Sequence, residues 1–153
     1  MTEPTVNRSS LAIWMPASLL IAVLLLWLGA GLHPPGAASA RTLPASPLTG
    51  AMGFAFLLAF AAFAYAAAIT TPHRPAEQIG LWASLALPLA VVLLLRAEWS
   101  LLALLVAVAW LVVLIWTAWQ LARRQPLAGL MILPVIGSAI ASFLLSVTLW
   151  VLP

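Results

Sequence analysis

The side chains in this sequence that could take part in chemistry are few, and their spacing does not assemble a reaction centre. Two His, three Glu and six Arg are the strongly ionisable groups among 153 residues, and there is no Cys. His33 and His73 sit in the Pro-rich stretches His33-Pro34-Pro35-Gly36 and Thr71-Pro72-His73-Arg74-Pro75. Imidazole is a common axial ligand of haem iron, but neither residue has a fixed helical context, so both read as exposed loop histidines. Glu3, Glu77 and Glu98 lie between apolar runs. No carboxylate pair, no Ser/His/Asp arrangement with a buried acid, no phosphate-cradling Gly loop and no metal-ligand cluster can be found. Ion pumps and proton-coupled transporters place ionisable groups at bilayer depth, and here none falls in the middle of an apolar run. The sequence therefore reads as non-enzymatic, with no catalytic and no metal-binding residues. Without Cys, disulfides, thiolate chemistry and Cys-ligated zinc are excluded.

What remains for binding is aromatic and hydroxyl-bearing. Eight Trp are present. Trp99, Trp116, Trp119 and Trp150 fall near the ends of apolar runs, where an indole suits the headgroup level. Trp110 falls near the middle of its run, so its N–H needs a partner and its ring could wall a flat ligand, core packing being the plainer role. Ala51, Ala55, Ala59, Ala62 and Ala66 form a small-residue stripe, with Phe56, Phe60 and Phe63 beside it. Small residues let helix backbones approach closely in a membrane. Ser138, Ser142 and Ser146 recur every four residues, giving hydroxyls that can bond across helices or back to their own carbonyls. Phe56, Phe60, Trp110, Ser138 and Ser142 are the candidate ligand-binding residues.

The elements that must position them follow from composition. With 65% apolar and 6% charged residues and a mean hydropathy of +1.18, the chain cannot cover a water-facing surface. Five apolar runs, 11–32, 48–70, 77–95, 100–122 and 127–152, are each long enough to cross a bilayer as helix. Strand alternation is missing, and a backbone in hydrocarbon must satisfy its own hydrogen bonds. The expected fold is all-α, a single membrane domain over 1–153 built as a bundle of five transmembrane helices. Short connections make successive helices antiparallel. Pro16, Pro88 and Pro134 fall inside runs, where each removes a backbone N–H.

Residues 33–47 are too polar and too rich in Pro for a span and read as a loop of functional length. Arg8, the first apolar run and Ala38-Ser39-Ala40 together imitate a cleavable secretory signal. The run is nearer span length than signal length, which favours a retained helix. Arg8, Arg74, Arg123 and Arg124 fall on one side of the membrane, Arg41 and Arg96 on the other. This bias points to a cytoplasmic N-terminus in a bacterial inner membrane. The basic balance, +3, is thus a topology signal and implies no nucleic-acid partner.

The ordering of features resembles the TspO/MBR family of tryptophan-rich sensory or translocator proteins, small five-helix membrane proteins with a long loop after the first helix. Leu127-Ala128-Gly129-Leu130-Met131-Ile132-Leu133-Pro134 looks like the AG-x-L-x-x-P start of the family's fifth helix. Pro47-Leu48-Thr49-Gly50 is similar to the start of its second, and Leu81-Trp82-Ala83 and Trp110 sit where members carry L-Y-A and a Trp. The resemblance covers residues 44–153 through apolar positions. The family's W-x-P-P loop stretch survives only as Leu43-Pro44-Ala45-Ser46-Pro47, and its closing L-N pairs become Leu144-Leu145 and Leu152-Pro153.

Family members bind porphyrins and sterol-like molecules between their helices. The resemblance therefore implies a TspO-like protein that holds a tetrapyrrole, sterol-like or other apolar ligand, in a sensory or transport role, with a porphyrin or another apolar pigment as its cofactor. An alternative from a different class is a non-catalytic accessory subunit of a larger photosynthetic or respiratory membrane complex. Its inner and outer helix faces are almost equally apolar, as such packing requires. The expected partners are membrane lipids, with a homodimer or a larger membrane complex as further possibilities.

Overall fold

The computed structural model describes residues 8–29 and 47–151. It contains five helices: α1 (Arg8–Gly29), α2 (Pro47–Ile69), α3 (Pro75–Arg96), α4 (Ser100–Arg124) and α5 (Pro126–Val151). Each corresponds to one apolar run, and the described residues contain no strand. Of the expected loop, residues 33–46 lie outside the described residues, as do the expected helical positions 30–32 and 152.

At the end that carries Arg8, Arg74, Arg123 and Arg124, helix extends beyond the apolar runs. The first helix starts at Arg8 rather than 11, the third at Pro75 rather than 77, and the fourth continues to Arg124. Hydropathy falls as soon as a charge appears, whereas the helix persists to headgroup level, where long cationic side chains reach water along their stems. Pro75 occupies the first turn of α3, where its missing N–H costs nothing.

Four helices are long and apolar enough to cross a membrane: the stretches Arg8–Leu28, Pro75–Arg96, Ser100–Arg124 and Pro126–Leu144. The fifth, α2, has 23 residues, about 35 Å at the usual helical rise, and is apolar throughout its described part from Gly53 to Ile69. Large apolar side chains such as Leu20, Leu105, Val112, Leu130 and Leu133 point outward and are exposed. Contiguous apolar surface of this kind marks a membrane-facing exterior. The protein is a multi-pass membrane bundle.

Each helix packs against two others in the cyclic order α1, α2, α5, α4, α3, and the α1–α3 seam is the thinnest. Buried positions follow helical spacing: Ser10, Trp14, Ser18, Ala22 and Leu25 in α1, and Ala103, Ala107, Trp110, Leu114, Thr117 and Leu121 in α4. Small residues set the closest approaches. A Cβ added to Gly129 would lie 2.5 Å from the Ala122 Cβ, and one added to Gly80 would lie 2.6 Å from Thr117 Oγ1. Pro16, Pro88 and Pro134 all fall within helices.

The turn from α3 to α4 is closed by its own backbone. Trp99 N–H donates to Leu94 O at 3.0 Å and Glu98 N–H to Leu95 O at 3.2 Å, the paired bonds of a Schellman ending. The position that Gly commonly takes in this motif holds Glu98, at a φ of 62°.

Candidate functional site

The five candidate residues occupy two different environments. Trp110 and Phe60 are fully enclosed. The Trp110 indole N–H donates to Ser84 O at 2.9 Å, while the Ser84 hydroxyl donates to Gly80 O at 2.7 Å. The Trp110 indole and the Ser84 hydroxyl are thus satisfied without water, whereas the buried Thr117 hydroxyl of α4 has no hydrogen-bond partner among the described residues. Phe56 is partly buried, and its ring centroid lies 4.9 Å from that of Phe60 at 42°. Phe56, Phe60 and Trp110 belong to one apolar cluster. Ser138 and Ser142 lie on α5, half-buried, beside Val135 and Ala139 of that cluster. Their hydroxyls donate to carbonyls of their own helix, Ser138 to Val135 O at 2.7 Å and Ser142 to Ser138 O at 3.0 Å.

Among the described side chains, the buried positions run on α2 from Ala59 to Ile69 and on α5 from Ala128 to Ala139, toward the end that carries the arginines. Continuing the same helical spacing toward the end opposite the arginines leads to Phe56 and Gly53 on α2 and to Ser142 on α5, none of which is buried. Gly53 shares a face with Phe56, Phe60 and Phe63, and Phe60 and Phe63 are fully enclosed. Yet a Cβ added at Gly53 would meet nothing within 4 Å. The described atoms thus leave open space beside Gly53, as they do beside Gly137 on an exposed face of α5. α1 ends and α2 begins at this same end.

The small-residue and aromatic stripes of α2 divide differently from the sequence reading. Phe60 and Phe63 form the enclosed core, Ala59 and Ala66 share it, and Ala55 is exposed. Trp99 and Trp119 are exposed near helix ends, as membrane anchors would be.

The other end of the bundle holds a polar clasp that the sequence reading missed. Glu77, the first residue of the expected third helix, lies in the first turn of α3 and is buried. Its carboxylate accepts from the Arg74 backbone N–H at 2.9 Å and from the Arg124 guanidinium at 2.8 Å. Through the same nitrogen Arg124 also donates to Thr70 O and Pro72 O. A carboxylate can leave water when charge-assisted hydrogen bonds replace its hydration.

His73, expected as an exposed loop histidine, is half-buried. Its Nε2 lies 2.8 Å from Ala67 O, a partner that requires the proton on Nε2. The ring packs edge-on against Trp14, centroids 5.8 Å apart, and Trp14 packs on Trp82 at 4.7 Å. Burial holds the His73 pKa below its ordinary value, partly offset by the Ala67 carbonyl and the Glu77 charge, while Arg124 lowers it further. The Thr71 hydroxyl donates to Ser10 Oγ at 2.7 Å, fastening the α2–α3 connection to α1. The sequence signal was Pro75 followed two residues later by Glu77, the composition of a helix start with an acid able to reach back to the capping N–H.

Two shallow grooves lie elsewhere on the described surface. One, about 560 Å³, follows α3 from Pro75 to Ala86. The other, about 400 Å³, runs between α4 and α5 from Pro126 to Leu133. Neither is lined by any of the five candidate residues. Among the described residues no group of three or more His, Asp or Glu could hold a metal ion. No family model, no curated protein and no solved structure matches this chain.

Proposed function

We propose that the protein is a TspO-like receptor or carrier of the bacterial inner membrane, oriented with its Arg-rich end in the cytoplasm, that takes a tetrapyrrole, sterol-like or other apolar ligand between α2 and α5. One observation carries the reading: Gly53 lies on the inward stripe of α2, and nothing stands within 4 Å of the place a side chain would occupy. The ligand would rest on Phe60 and Trp110 and contact Phe56, with Ser138 and Ser142 able to orient a polar edge by turning away from their own carbonyls. Dispersion and exclusion of lipid from the aromatic floor would supply most of the affinity.

The test is a titration of purified protein with protoporphyrin IX, following Trp fluorescence. Saturable quenching that Phe56→Ala weakens about tenfold, the equivalent of about 1.4 kcal/mol, supports the reading. Absence of saturable quenching counts against it, and a fixed complement of co-purifying membrane chains in the same sample would favour the accessory-subunit reading instead.

A further inference from the structure

The α4–α5 groove opens at the Arg-rich end and has a cation held at its mouth. Its walls are Trp119 and Ala122 from α4 and Pro126, Gly129, Leu130 and Leu133 from α5. Gly129 lies so close to α4 that Ala122 and the Ala118 carbonyl touch the space where a side chain would stand. The two backbones therefore form the groove floor, and Trp119, Leu130 and Leu133 rise exposed along its sides. From Pro126 to Leu133 the helix rises about 10 Å, which keeps the groove within one leaflet, about 15 Å deep.

At its mouth the Arg123 guanidinium lies 3.6 Å from the centroid of the Trp119 ring. Such stacking holds the cation over the groove while leaving its N–H donors in the plane of the guanidinium. Its neighbour Arg124 is already committed to Thr70 O, Pro72 O and Glu77. Arg123 has no carboxylate partner among the described residues. Arg8, Arg74, Arg123 and Arg124 gather at this end against Glu77, which is buried and paired, and Glu3, which lies outside the described residues.

We infer that this groove is a binding site for an anionic glycerophospholipid, with one acyl chain lying along Ala122, Gly129 and Leu133 and the phosphate paired with Arg123. Complementarity of charge selects this occupant over a second copy of the chain. A symmetric dimer through the same groove would bring two Arg123 side chains toward each other at the membrane surface, where like charges repel. The site is independent of the ligand site proposed between α2 and α5, which lies toward the opposite end.

Delipidated protein in detergent, titrated separately with dioleoyl phosphatidylglycerol and dioleoyl phosphatidylcholine and read by native mass spectrometry, tests the inference. The wild type should retain the anionic lipid about fivefold better, the effect of one Arg at an anionic headgroup. Arg123→Gln should abolish that preference, Arg123→Lys should restore part of it, and Arg74→Gln should leave it intact. Equal retention of the two lipids by the wild type overturns the inference. So does a preference that survives Arg123→Gln, or a protein dimer that forms through this face in place of lipid binding.

Discussion

Glu77 and Arg124, 47 positions apart in the chain, meet at 2.8 Å and fasten the start of α3 to the end of α4. The carboxylate is almost wholly enclosed, whereas the Arg124 side chain keeps 35% of its surface exposed, so the two partners are not equivalent. Arg124→Gln leaves a buried charge with the Arg74 N–H as its remaining partner. Glu77→Gln leaves a cation that still has two carbonyls and water. We expect Arg124→Gln to cost about 2 kcal/mol and Glu77→Gln about 1 kcal/mol, below the range for fully buried pairs because of the exposed guanidinium. Thermal unfolding in mild detergent reads both values, and equal costs would contradict this asymmetry.

His73 makes the same end of the bundle sensitive to acid. Its pKa in the folded protein is lowered from 6.5, so the unfolded chain binds a proton first as pH falls. Stability contributed by neutral His73 is fully present above 6.5, declines as pH drops below that value, and levels off beneath the lowered folded pKa. Glu77 and Arg124 act on the ring through their own charges, so the test is a difference. The fall in melting temperature between pH 7.5 and 5.5 should be smaller in His73→Gln than in the wild type. Identical pH slopes would remove His73 from the account.

Glu98 holds a backbone conformation that L-residues adopt at a cost of about 1–2 kcal/mol. Gly removes that cost but has more freedom to lose on folding. Glu98→Gly should therefore raise stability by about 1 kcal/mol and leave ligand binding untouched. A lower melting temperature for this variant would mean that the carboxylate has a role beyond closing the turn.

The helices were legible in the sequence because each is a run of apolar residues of bilayer length, bounded by Pro, Arg or Gly. The buried faces of α1, α3 and α4, which apolar composition alone did not single out, recur at helical spacing. The open space beside Gly53 was not legible, since glycine at helical spacing looks alike whether a neighbouring helix fills the space, as at Gly129, or nothing does. The clasp was hidden for a different reason. Trp14, His73 and Trp82 lie in three separate segments, and their contacts exist only once α1 packs on α3. Trp110 was read as a mid-span indole in need of a partner, and Ser84 O meets that need, but no pattern in the sequence pointed to Ser84. The hydroxyls of Ser138 and Ser142 could bond across helices or back along their own, and both bond back to carbonyls of α5.

The claim on which the functional reading stands is that the space facing Gly53 is empty and takes a ligand. Thermal unfolding of Gly53→Leu, with and without protoporphyrin IX, addresses it most directly, with Gly129→Leu as the comparison. Without ligand, Gly53→Leu should melt at or slightly above the wild type, because Leu favours helix over Gly by about 0.8–1 kcal/mol, whereas Gly129→Leu should melt well below it. With ligand at about a hundred times its dissociation constant, the wild type should gain about 2.7 kcal/mol and Gly53→Leu almost nothing. A Gly53→Leu protein as damaged as Gly129→Leu, or one stabilised by the porphyrin as much as the wild type, would contradict the account.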